Sequence, residues 1–190
     1  MRTRMLYTSD TSINLISAAA NPGVHIFSCN GLFDPDVTGT GHQPRGFDQL
    51  MQFYDHYVVT HARIKCRFFN NSVTTPVEVF VTVRDNSVKS TSYLDYLESS
   101  LTKTAQLGVE ASSAATKTIS YDMDVGKFLG RGNVMSDPQM KGNAATNPTE
   151  GASFHIGAYS PDLFTATSCS LLATIEYSLA LIEPKIVAAS

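Results

Sequence analysis

The sequence predicts an all-β domain of eight antiparallel strands in two sheets, with short helices confined to the connections. Three observations carry this. Several runs alternate apolar and polar residues, the period of a half-buried strand. The clearest, Pro76–Arg84, places Val77, Val79, Val81 and Val83 on one β-branched face. No segment sustains helical periodicity beyond about two turns. The 190 residues are 43% hydrophobic and only 16% charged, without tryptophan, against the roughly 25% charge of an average soluble domain.

In chain order, Ser12–Ser17 alternates weakly and is read as the first strand, and Val24–Asn30, after the Asn21-Pro22-Gly23 turn, as the second. Asp34 to Gly46 holds two prolines and three glycines (Gly39, Gly41, Gly46), which suits neither strand nor helix interior and predicts a shaped surface loop. Phe47, Leu50, Met51 and Tyr54 then recur at the spacing of one helix face. The period changes to two in Tyr57–Phe69. Val58, Ala62, Ile64, Cys66 and Phe68 are expected to face the core, and His61, Arg63, Lys65 and Arg67 the other side. Asn70-Asn71-Ser72 turns the chain into Pro76–Arg84, which is expected to pair with the strand before it.

Ser92–Ser100 reads as a short helix capped by Ser92, with Tyr93, Leu94, Leu97 and Leu101 near helical spacing. Lys103–Val109 and Thr116–Val125 are the fifth and sixth strands, the latter with Ile119, Tyr121, Met123 and Val125 on one face. Gly126–Thr149 is a long loop with one helical turn at Val125–Leu129, and loops of this length inside a domain are usually functional. Ala152–Tyr159 and Ser170–Glu183 complete the count, the last expected in mid-sheet beside the first. Eight strands with helices only in connections fit a single-domain (1–190) jelly roll of two Greek keys. The alternative, an immunoglobulin-like sandwich, lacks the Cys…Trp…Cys pattern.

The net charge of −3 argues against a chain whose bulk binds nucleic acid, because affinity comes from neutralising phosphates. Scarce charge also suits a surface covered by neighbouring subunits. Cys29, Cys66 and Cys169 are widely spaced and are expected to be buried thiols rather than zinc ligands. No signal-peptide pattern and no membrane-length apolar run occurs. The five histidines form no HExxH, and neither a P-loop nor a GxSxG elbow is present, so no enzymatic role and no cofactor is expected. Asp34 and Asp36 are close enough to share a calcium ion, but Asp-Pro-Asp is also an ordinary turn former. Arg63, Lys65 and Arg67 make a basic stripe, read either as phosphate contacts, with Lys103 and Lys117 as neighbours, or as a solvated face. Tyr57 and Phe69 are the aromatic residues at hand for base stacking, both close to core positions.

The words NGLFDPD, TGTGHQPRGFDQ and FYDHYVV, spanning Ser28 to Val59, resemble capsid proteins of circovirus-like viruses with circular, Rep-encoding single-stranded DNA genomes (CRESS-DNA viruses). They are more distantly similar to shell domains of small icosahedral RNA plant viruses. The resemblance implies a structural capsid protein that assembles with itself into an icosahedral shell of about 60 copies (T=1). Such a shell would enclose single-stranded DNA in a virion built in the host nucleus or cytoplasm, with an unknown receptor and no membrane partner. It also implies a subunit-contact role for the loop residues Asp34, Asp36, His42, Gln43, Pro44 and Arg45, with Arg45 pairing to Asp48. Relatives carry a basic arm ahead of the shell domain. Here only Arg2 and Arg4 precede Thr8, so the arm is expected to be missing. A non-viral jelly-roll module that binds carbohydrate or a receptor is the alternative, and a cupin-type enzyme is disfavoured by the histidine pattern.

Overall fold

A computed structural model describes residues 1–15, 21–38, 41–161 and 167–186. The described strands are β1 (Arg2–Leu15), β2 (Gly23–Ser28), β3 (Tyr54–Asn70), β4 (Val77–Arg84), β5 (Lys103–Leu107), β6 (Thr116–Asp124), β7 (Ser153–Tyr159) and β8 (Thr167–Pro184). Short helices α1 (Phe47–Met51), α2 (Tyr93–Leu97) and α3 (Val125–Phe128) lie in connections, with a 3-10 turn at Pro138–Met140. One sheet has the order β1-β8-β3-β6 and the other β2-β7-β4-β5, every pairing antiparallel. β1 pairs with β8, β2 with β7, β3 with β6 and β4 with β5. This is one long nested hairpin rolled into a sandwich, and it makes the fold a jelly roll.

Alternation builds the core between the sheets. Ala62, Ile64, Cys66 and Phe68 of β3, the four valines of β4, Phe154, Ile156 and Ala158 of β7, and Leu171 to Leu181 at alternate positions of β8 form one buried cluster. A side chain of this size stabilises by ~1.5–3 kcal/mol when fully buried. The three cysteines are free and buried there. Burial raises all three thiols, Cys169 to about 12, so they pack as apolar groups.

Four features depart from the sequence reading. β1 begins ten residues before Ser12, so Arg2 and Arg4 belong to a strand; Ile16 and Ser17 lie outside the described residues. Tyr54 opens β3 rather than ending the helix, because α1 stops at Met51. β4 does not pair with β3. The Asn70–Ser72 turn carries the chain across to the other sheet, where β4 lies between β5 and β7. Finally, a bulge shifts the β3–β8 register between Val59 and His61. Its extra residue, Thr60, donates its hydroxyl to the Ser178 carbonyl at 3.1 Å. Tyr57 and Val59 therefore join the core before the bulge and Ala62 after it, while Val58 turns to the outer face, although still buried.

The outer face of the second sheet is covered by α2. Tyr93 and Tyr96 pack on Phe80, whose ring lies over Gly157, where a Cβ would come within 2.1 Å of it. Of the residues read at helical spacing, Tyr93 is buried, whereas Leu94, Leu97 and Leu101 are 63%, 41% and 40% exposed. Ser92 is the residue before α2, but its hydroxyl makes no cap bond; Ser90 Oγ accepts from the Ser92 N–H at 3.1 Å.

Candidate functional site

The turn-rich stretch after β2 folds back along its own strand. Ser28 N–H donates to the Pro35 carbonyl at 2.8 Å and Val37 N–H to the Ile26 carbonyl at 3.2 Å. Asp36 is buried and its carboxylate is committed. It accepts from Thr38 N–H at 3.0 Å and from the Thr38 hydroxyl, and His25 Nε2 lies 2.9 Å away. Burial holds the His25 ring below the ordinary histidine value, outweighing the carboxylate beside it. His25 Nε2 thus faces both the Asp36 carboxyl group and the Thr38 hydroxyl, the latter at 3.1 Å. Asp34 is exposed, its carboxyl raised by partial burial and then by Asp36. Among the described residues no group of three or more His, Cys, Asp or Glu could hold a metal ion. The Asp34–Asp36 geometry is accordingly that of a closed turn.

Asn147, from the long 126–149 loop, clamps this turn. Its Oδ1 accepts from Phe33 N–H and Asp34 N–H, both at 3.1 Å, and its Nδ2 donates to the Asp34 carbonyl at 2.9 Å. Tyr57 completes the clamp: its hydroxyl donates to Asn147 Oδ1 at 3.3 Å and accepts from Leu32 N–H at 2.9 Å. Burial pushes that phenol up to about 12. The long loop is itself fastened. Tyr57 and Gly142 exchange backbone hydrogen bonds at 2.9 and 3.0 Å, and Arg131 bridges Asp137 and Glu150, each at 3.1 Å. Asn147 is marked by no sequence motif, since its contact with Asp34 spans 113 residues; Tyr57 falls in the word FYDHYVV, but nothing there marks it as a clamp.

Beyond the turn, Pro44 is buried, Gln43 half-buried, and His42 and Arg45 exposed. The His42 ring lies between the carbonyls of Thr8 (3.1 Å) and Gln43 (2.8 Å) and against Tyr7. Gly46 takes a φ of 84°, a left-handed conformation that starts α1, and its neighbour Asp48 faces the Gln43 amide at 2.8 and 3.1 Å. Arg45 has no ion pair with Asp48 among the described residues; Gln43 occupies that position.

The basic stripe lies on β3, on the open face of the first sheet. Arg63, Lys65 and Arg67 are all exposed and none is in an ion pair among the described residues. Their surroundings differ. Arg63 sits in register between Glu176 and Asp122, with Arg4 on Glu176 at 3.2 Å and His61 hydrogen-bonded to Asp122. Lys65 sits between Thr174 and Ser120, and Arg67 between Leu172 and Thr118. Phe69 follows on the same face, 37% exposed, between Ser170 and Thr116. Tyr57 is excluded as a stacking surface because it is fully buried. Lys117 is across from Phe68 and so faces the other way, and Lys103 donates to the Ser120 carbonyl at 2.8 Å from the edge of the second sheet. Neither joins the stripe.

No family model matches the chain, and no curated protein matches it. Among solved structures it is similar to Desmodium yellow mottle tymovirus, at 15% identity over 100% of this chain and 93% of that chain, with a TM-score of 0.41. It is similar to tobacco necrosis virus at 13% identity over 98% of each chain, with a TM-score of 0.48. Sacbrood virus of honeybee in an expansion state gives 13% identity over 100% of this chain and 88% of that chain, with a TM-score of 0.49. The fold assignment rests on the strand order rather than on these likenesses.

Proposed function

We propose that this chain is a viral capsid protein whose copies close an icosahedral shell, its role structural and its location the virion. The observation that carries the reading is where the capsid-like wording falls. The described residues of this stretch, 28–38 and 41–59, form the clamped surface turn, α1 and the start of β3 in a jelly roll, so the wording coincides with a built surface element. Exposed Leu94 and Leu97 on α2, with Leu101 in the turn after it, add apolar surface of the kind neighbours cover. The finer reading is a circovirus-like, CRESS-DNA virus whose shell of about 60 copies encloses single-stranded DNA, assembled in the host nucleus or cytoplasm. The turn residues Asp34, Asp36, His42, Gln43, Pro44 and Arg45 are proposed to meet a neighbouring subunit, Asp36 as its buried strut. Each subunit should then bury well over the ~1,600 Å² of a standard pairwise interface, summed over its neighbours.

The test is light scattering and negative-stain microscopy of the purified protein at micromolar concentration. Closed, uniform particles are expected, and Leu94→Glu combined with Leu97→Glu should lower particle yield while leaving the melting temperature of the subunit unchanged. A monodisperse monomer at physiological salt would overturn the reading.

A further inference from the structure

The open face of the first sheet is not uniform. Toward the Thr60 bulge its cations are matched: Arg4 holds Glu176, His61 holds Asp122, and Arg63 stands between those two carboxylates. Toward the other end the matching stops. Lys65 and Arg67 have Thr174, Ser120, Leu172 and Thr118 as their register partners, none of them an acid; Glu176 and Asp122 stand only diagonal to Lys65, and Arg67 lies one pair further from them. The nearest carboxylate in register is Asp10 on β1, beyond Leu172 and two strand spacings (about 9–10 Å) from Arg67. Phe69 continues the row and exposes its ring, with Leu172 (41% exposed) diagonal to it. Side chains two residues apart on one strand recur every ~6.6 Å, a repeat comparable with that of an extended nucleic-acid strand. Two unpaired cations in line with an exposed aromatic ring, among hydroxyl groups, is the composition of a single-strand platform: charge for phosphates, a ring face for a base.

We propose that Lys65, Arg67 and Phe69 on the outer face of β3 bind single-stranded nucleic acid, the two cations on successive phosphates and the Phe69 ring under a base. Arg63 is left out of the site because its flanking carboxylates repel phosphate. The inference rests on the capsid reading only for the source of the strand; binding itself is measured separately.

The absence of tryptophan supplies a direct probe. In a Phe69→Trp variant the new indole is the sole tryptophan, and its emission should be quenched when a short oligothymidylate binds. Oligouridylate should bind within a few-fold of it, because phosphates and base faces are common to both, and a duplex of the same length should bind more weakly. In the unaltered protein, Lys65→Gln with Arg67→Gln should reduce the slope of log affinity against log salt by ~1.4, at ~0.7 per phosphate contact. Phe69→Leu should weaken binding roughly tenfold with the salt slope unchanged. Arg63→Gln should change affinity less than two-fold. The proposal is overturned by no oligonucleotide binding at low salt, by unquenched emission on binding, by Phe69→Leu binding like the unaltered protein, or by Arg63→Gln acting as strongly as Lys65→Gln. Light scattering on the same samples separates the two ideas. Lost binding with particles intact removes this site and leaves the shell, whereas binding by a protein that stays monomeric removes the shell and leaves this site.

Discussion

Tyr57 shows how much one side chain can hold. Its ring packs edge-on against Phe47 of α1, its backbone pairs with Gly142, and its hydroxyl joins Leu32 to Asn147. Three segments far apart in sequence meet on it. Tyr57→Phe keeps the ring and leaves the Leu32 N–H buried without an acceptor, at a cost of ~1–3 kcal/mol. The melting temperature should fall by roughly 2–12 °C for a chain of this length. Asn147→Ala breaks more bonds, but water reaches the Phe33 and Asp34 amides, so its effect on melting should be similar or smaller. Its effect on particle yield should be the greater, because it frees the turn itself. Thermal melts and particle yields on both variants check the pair. Asp36 was legible in the sequence as a turn former, because its partner Thr38 is two residues away. Asn147 was not, because nothing local distinguishes it from the other asparagines of its loop.

At the scale of elements, periodicity located the strands and failed on what joins them. The Val77–Val83 face, the β6 face of Ile119 to Val125 and the central place of β8 follow from patterns that survive folding. Partner choice does not: a short turn after β3 suggested a hairpin, yet β4 crosses to the opposite sheet. β1 was underestimated because its inward series includes Ser9 and Thr11 among Met5, Tyr7 and Ile13, so the alternation is faint. The Thr60 bulge is invisible to a strict period of two, and it accounts for the misplacement of Val58. Deleting Thr60 should force Tyr57 and Val59 outward and prevent folding, seen as loss of soluble protein. Thr60→Val keeps the count and removes only one hydrogen bond, so it should cost ~0.5–1.5 kcal/mol in chemical denaturation.

For the whole molecule, buried histidines set the response to acid. His155 is fully buried beneath α2, its Nε2 donating to the Asn86 carbonyl at 2.8 Å and its Nδ1 without a partner among the described residues. Burial lowers its pKa, and the nearby Arg84 and Lys89 charges lower it further; His25 is lowered by burial as well. A depressed histidine binds its proton more readily in the unfolded chain, so its contribution is complete above the unfolded value near 6.5 and is lost as pH falls below it. Stability should therefore be level between about pH 7 and pH 8, below the range in which the unfolded chain would ionise the buried thiols, and decline from pH 7 down toward pH 5, and His155→Gln should flatten that acid-side decline in melting temperature. Glu183, lowered by Lys141 and His56 at 2.6 and 2.7 Å, acts in a separate window. Its contribution is present above the ordinary carboxylate range and disappears only as pH drops through its depressed value.

The nested pairing has a consequence in time as well as in space. β8 lies between β1 and β3, so a chain emerging from the ribosome leaves both of those strands without their shared neighbour until β8 is made. Local hairpins cannot close the first sheet in advance, and folds ruled by such distant pairings form slowly. Synthesis of β8 is thus the event that seals the sheet, and a chain broken off before Thr167 has no central strand with which to present the β3 face. The topology acts as a proofreading step in which the fold itself verifies that β8 has been made.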